Sequence, residues 1–250
     1  MRRYVILIIL LTTCIVVTIW ITNTGKIGVM EPFTYGEILK EAQRHIIMVV
    51  IAEGIAIAIG VPLGILVTRP GFKWLTTPVI GGANVGQTIP SLAVIAILAT
   101  LPFTFYFLDF GLNRETAIVA LVIYGLLPIV RNSYAGINNI DPATVEAARG
   151  MGMTRGQIAR KIELPLALPV IMTGIRVSTV VIVGTATLCA LIAAGGLGRI
   201  ILAGVAVSEP LIILQGAAPT AALAITLGFI LESIESWMTP RGLKVKAEVS

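Results

Sequence analysis

The chain has one histidine, two cysteines and only 12% charged residues among its 250. Each scarcity closes a class of function. A nucleophile–histidine–carboxylate set or an imidazole metal centre needs histidine beside other reactive groups. His45 has no partners at such a spacing, so no metal site and no catalytic residues are expected. Cys14 and Cys189 lie inside apolar segments with no metal-like spacing, and read as two small buried hydrophobes. No GxxxxGK[ST] phosphate loop occurs, which argues against a self-contained ATPase. A soluble domain carries about 25% charged residues. At 12% charged and 56% hydrophobic, most of this chain's surface must face lipid. The net charge of +5 would suit nucleic acid, but the basic residues sit at the ends of apolar segments and form no stripe. No nucleic-acid partner is expected.

What the chain does have is long apolar runs. Spanning a bilayer takes roughly 20 apolar residues as a helix. Candidate spans are 4–21, 46–67, 74–101 (interrupted), 116–130, 166–192 and 211–234. Backbone groups in lipid must be satisfied within the segment, so these runs predict helices. Barrel strands would alternate instead. The fold class expected is an all-α integral membrane protein of about six transmembrane helices.

Met1-Arg2-Arg3 before an apolar run has the form of a secretory leader. However, Trp20-Ile21-Thr22-Asn23-Thr24 lacks a small-x-small cleavage site, which favours a retained anchor. With both termini in the cytoplasm, twelve Lys and Arg fall inside and five outside, as the positive-inside rule requires. Trp20, Trp74 and Trp237 fall at span ends, where amphipathic rings prefer to sit. The expected division is an anchor helix and outer loop over 1–44, a transmembrane domain over 45–238 with an inner loop at 131–165, and a cytoplasmic tail over 239–250.

The inner loop carries the densest local signals. Asp141 suits an N-cap and Pro142 the first helical position, so a short helix is predicted through 144–149. Gly150-Met151-Gly152 should end it, because glycine takes the left-handed conformation easily. Thr154-x-x-Gln157 reads as a capping box for a second helix, whose Ile158 and Ile162 share one face. Leu164-Pro165 returns the chain to the membrane. Met151 and Met153 flank the elbow on a water-facing loop, which suggests a partner's groove.

Glu146, Ala147, Ala148, Gly152, Ile162, Leu164 and Pro165 fill every position of a motif at its expected spacing. The segment resembles the coupling loop of permease subunits from binding-protein-dependent ABC importers. That resemblance implies a type I ABC importer permease fold and a non-catalytic chain. It implies docking on a cytoplasmic ABC ATPase, which holds ATP and Mg, with no cofactor on this chain. It further implies a second permease subunit, as homodimer or heterodimer, and an extracytoplasmic substrate-binding protein. In that family Gly152 marks the elbow, and Ala147 and Ala148 allow close packing.

The third span is interrupted at Gly81–Ser91, where Pro90 removes a donor and disfavours helix at Ile89. Two roles fit: an interrupted helix lining a translocation path through Gln87, Thr88, Pro90 and Ser91, or a packed proline kink. The run Asn84–Ala93 resembles the signature of permeases for quaternary-amine osmoprotectants such as glycine betaine, choline and carnitine. Resemblance continues at His45, Gly60–Gly64, Tyr124–Pro128 and Gly184–Gly198.

A quaternary ammonium is usually held by an aromatic cage. Aromatics are 6% of the chain, and Phe103, Phe105, Tyr106, Phe107 and Phe110 near the outer end of the third span, with Tyr124, do not define one. A tight site is therefore expected on the binding protein. An amino acid or another small zwitterion is the alternative cargo. A secondary transporter or channel is the alternative class, but it leaves the elbow unexplained and no internal repeat supports it.

Isolated polar residues complete the reading. Glu53 inside a span costs roughly 2–3.5 kcal/mol, so it either attracts cations on a pathway or is bonded to a neighbouring helix or hydrated near the outer interface. Arg176 suits snorkelling toward the cytoplasm. Gly195–Gly198 reads as a turn, and the apolar 199–207 following it as an outer gate or a packed re-entrant segment.

Overall fold

A computed structural model describes residues 2–24, 31–100 and 112–238, with the backbone alone at 2–6 and 112. The described residues contain helices and no strand. Helix α1 covers Arg2–Asn23, α2 Tyr35–Leu66, α3 Thr76–Gly86, α4 Ser91–Thr100 and α5 Leu112–Asn138. Helix α6 covers Pro142–Gly150, α7 Arg155–Ile158, α8 Leu164–Leu188, α9 Gly198–Ala206 and α10 Pro210–Met238. Four of the described helices are long and apolar enough to cross a membrane, or five if the bent pair 70–86 with 91–100 counts as one span. At the N-terminus, the shorter apolar stretch Leu7–Asn23 of α1 lies where the first span was expected. The predicted lysine and aromatics at 26 and 103–110, and the tail at 239–250, lie outside the described residues.

Helix boundaries differ from the apolar runs for local reasons. Helix α2 starts eleven residues before the expected span at 46. Thr34 and Glu37 form a reciprocal cap: Thr34 N donates to Glu37 Oε2 at 3.0 Å and Glu37 N to Thr34 Oγ1 at 3.4 Å. Polarity ended the apolar run, but it did not end the helix.

The chain forms two compact units: Met1–Gly54, Ile89–Tyr124 and Thr179–Gly228 in the first, Ile55–Thr88, Gly125–Ser178 and Phe229–Ser250 in the second. The first buries Met48, Ala52, Ile95, Leu121, Ile182 and Ala186. The second buries Ala56, Ile129, Ile137, Ala167, Ile171 and Ile175. Its helices approach closely through small residues. A Cβ on Gly64 would lie 2.6 Å from the Val130 carbonyl oxygen, and one on Gly60 2.8 Å from Ile129 Cγ2. Gly60 and Gly64 thus form a glycine-x₃-glycine face that lets α2 meet α5 nearly backbone to backbone.

Candidate functional site

The loop at 131–165 is built largely as its residues predict. Asp141 Oδ1 accepts from Ala143 N at 2.9 Å, with Pro142 opening α6. At the other end Met153 N donates to Ala148 O at 3.2 Å and Gly152 N to Arg149 O at 2.9 Å. Those two bonds are a Schellman closure, and it requires the left-handed φ of +79° at Gly152. A Cβ on Gly152 would meet nothing within 4 Å, so the need for glycine there is conformational, not steric. Gly150 is helical and equally open, so Gly152 alone is the elbow.

Two side-chain expectations change. Met151 is 73% exposed at the knuckle, but Met153 is half-buried, because the closure folds its backbone back toward Ala148. Ala148 is buried, while Ala147 faces outward beside Glu146. Close packing within the chain therefore falls to Ala148.

The second arm begins with the expected box: Thr154 N donates to Gln157 Oε1 at 2.8 Å and Gln157 N to Thr154 Oγ1 at 3.4 Å. Ile158 is buried, Ile162 and Pro165 are half-buried and Leu164 is exposed. The arm then widens into a π-helical turn over Ala159–Glu163, where Leu164 N bonds Ala159 O. Pro165 supplies the reason. It has no N–H for Lys161 O, and its ring would collide with that carbonyl in a regular helix. Beyond the turn the helix continues unbroken, so 155–192 is one 38-residue helix. Arg69, past the end of α2, braces it with a 2.6 Å ion pair to Glu163. Beside this pair lies a cavity of about 410 Å³ whose lining includes Val145, Arg149, Arg155 and Ile158.

The third span breaks where expected, between Gly86 and Ser91. Gln87, Thr88 and Pro90 are exposed and Ser91 is half-buried. Gln87 and Thr88 belong to the second unit, and Pro90, Ser91 and Glu53 to the first. The carbonyl of Ile89 is left outside any helix, and the Tyr124 hydroxyl donates to it at 2.6 Å. Glu53 is 7% exposed and its Oε1 accepts from Thr179 Oγ1 at 3.1 Å, so the bond to a neighbouring helix is present. Arg176 is ion-paired with Glu235 and lies 3.9 Å from Glu232.

Sequence reasoning missed two buried polar centres in the first unit. Glu41 is 1% exposed. Its Oε1 accepts from Arg44 at 2.9 Å and Arg199 at 2.8 Å, and its Oε2 from Gly196 N at 2.9 Å. The expected turn at Gly195 and Gly196, with φ of +84° and +85°, is thereby tied to α2. The segment after it forms α9, with Gly204 tight against Ile213 N, which is the packed alternative. His45 is fully buried below, its Nε2 donating to Val183 O at 3.2 Å. The Thr34-x-x-Glu37 cap was the available signal, since it places Glu41, Arg44 and His45 on a helix. The second centre is Gln215, fully buried, whose side chain accepts from Phe33 N at 2.9 Å and donates to Phe33 O at 2.8 Å and Thr22 Oγ1 at 3.0 Å. No sequence pattern announces that clamp.

An elbowed loop, a broken third span and long apolar helices are the features of a membrane-spanning protein. Residues 60–242 match the family described as "Binding-protein-dependent transport system inner membrane component", and the chain belongs to that family. It is 41% identical over 201 residues, 80% of this chain, to the osmoprotectant import permease protein OsmW of Salmonella typhimurium, covering 91% of it. It is 40% identical over 215 residues, 86% of this chain, to the glycine betaine/carnitine/choline transport system permease protein OpuCB of Bacillus subtilis, covering 94% of it. The fold matches a chain of the MetNI methionine ABC transporter in inward-facing conformations, with a TM-score of 0.72 and 25% identity over 82% of this chain and 97% of that one. The architecture is that of a type I ABC importer permease, resident in the membrane.

Proposed function

We propose that this chain forms part of the translocation path of an ATP-driven importer for quaternary-amine osmoprotectants of the glycine betaine, choline and carnitine type. ATP and Mg are held by a separate cytoplasmic ATPase. A second permease subunit completes the path, and an extracytoplasmic binding protein delivers the cargo. The observation that carries the coupling half is the rigid knob at Met151–Gly152, with Met151 exposed and Glu146 and Ala147 facing outward. The knob docks in the ATPase, and Glu146, Ala147, Ala148, Gly150, Met151, Gly152, Met153, Ile162, Leu164 and Pro165 transmit its closure. Transmission is direct because the second arm and its membrane span are one helix. Closure of the ATPase then biases the transporter between outward- and inward-facing states.

Relatedness supports the cargo. Osmoprotectant permeases share 40–41% identity with this chain, against 25% for the methionine transporter, which disfavours the amino-acid alternative. Gln87, Thr88, Pro90, Ser91 and Glu53 are the path residues of this reading, and both termini lie in the cytoplasm. The test is uptake of labelled glycine betaine into vesicles holding this chain, its permease mate, ATPase and binding protein. Uptake should require ATP, and unlabelled choline or carnitine should compete. Uptake that persists without ATP would sink the importer, and failure of all three amines to compete would sink the cargo.

A further inference from the structure

The geometry points to a binding site for a phosphate-bearing anion, an inner-leaflet phospholipid headgroup, in the notch between the end of α2 and the coupling loop. The notch encloses about 410 Å³ and is lined by Arg69, Phe72, Val145, Arg149, Arg155 and Ile158 among others. Arg69 is already neutralised by Glu163 at 2.6 Å. The side chains of Arg149 and Arg155 have no ion pair or hydrogen bond among the described residues. The cavity therefore presents two uncompensated guanidinium groups. Arg155 and Gly156, which open the 38-residue helix, line it too, so the positive end of that helix dipole adds to the field. Two forked cations and a helix N-terminus suit a phosphate oxygen cluster.

The walls say where the phosphate comes from. Phe72, Val145 and Ile158 add apolar lining, which suits an amphiphile better than a free hydrated ion. The segment 69–74 follows directly on the apolar end of α2, and carries Phe72 and Trp74, 41% and 73% exposed, with exposed Lys73 between them. Exposed aromatics interleaved with a lysine are the composition of a membrane–water interface, and anionic lipids collect at such cationic sites. Lipid seated there would bridge the end of a span to the coupling loop.

The site rests on the orientation proposed above, which puts the notch at the inner leaflet, but its test involves no transport and so fails or stands separately. The complete transporter is exchanged into equimolar phosphatidylglycerol and phosphatidylcholine, and retained lipid is counted by native mass spectrometry. Wild type should retain phosphatidylglycerol preferentially. Each arginine near a lipid surface contributes about fivefold, so Arg149→Gln with Arg155→Gln should weaken retention roughly 25-fold, and the Arg→Lys pair, which keeps the charge but not the fork, should restore part of it. Should the double variant fail to assemble, Arg155→Gln alone should show the single fivefold loss. Unchanged preference in the glutamine variants overturns the site. Displacement of the lipid by inorganic phosphate reassigns the notch to a free anion. Absence of any preference in wild type removes the site. Either outcome also overturns the lipid.

Discussion

Gly150→Ala and Gly152→Ala add the same methyl group two residues apart, and only the second should impair the loop. Neither new Cβ would touch anything within 4 Å. Crowding therefore cannot explain a difference, and only backbone conformation remains. Gly150 is helical, where alanine is favoured by roughly 0.5–1 kcal/mol. Gly152 has φ of +79°, where a Cβ costs roughly 1–2 kcal/mol. That cost falls on the two closure bonds, Met153 N to Ala148 O and Gly152 N to Arg149 O. If the closed knob is the form that docks, 1–2 kcal/mol lowers its population by a factor of about 5–30 where the loop has no stability to spare. The assay is ATPase affinity for the permease, measured by titration into proteoliposomes, together with ATP-dependent betaine uptake. Gly152→Ala should weaken both, Gly152→Asn less so because asparagine tolerates the left-handed region, and Gly150→Ala neither. Equal behaviour of the two alanine variants would refute the claim that the left-handed closure shapes the docking knob.

Other outcomes follow from the same structure. Gly64→Ala places a Cβ 2.6 Å from a carbonyl oxygen and should lower thermal stability in detergent by about 1–3 kcal/mol, whereas Gly36→Ala, helical and with open space around it, should not lower it. Glu41→Ala leaves Gly196 N and two arginines without their shared acceptor; with those guanidiniums part-exposed, a loss of about 3 kcal/mol is expected by thermal unfolding. Tyr124→Phe strands the Ile89 carbonyl and should cost about 1–3 kcal/mol, read as lowered thermal stability together with slower uptake if the break lines the path. Glu53→Gln keeps an acceptor for Thr179 and should fold normally, so full transport by this variant would remove Glu53 from the pathway.

The parts legible in the sequence were those whose causes are local. Asp141-Pro142, the elbow and the Thr154–Gln157 box each involve residues within five positions of one another, and all three formed as expected. The break before Ser91 was legible because Pro90 acts on its own neighbourhood. Illegible parts depend on chain that returns from far away. Glu41 reads as a loop carboxylate until Gly196 and Arg199, more than 150 residues later, arrive to bond it. Gln215 reads as one polar residue in an apolar run until Phe33 comes beside it from 182 residues away. Met153 was misread for a subtler reason: its burial depends on the handedness of the turn before it, which composition alone does not fix.

The widened turn at Ala159–Glu163 amounts to one surplus residue stored inside a continuous rod. A regular helix advances 100° per residue, so this surplus sets the angular phase between the Met151–Gly152 knob and the core-facing Ala167, Ile171 and Ile175. Removing one residue there would leave both ends of the rod intact in composition and rotate one against the other by about a quarter-turn. The aim of the knob is thus written in the length of the helix as much as in its side chains.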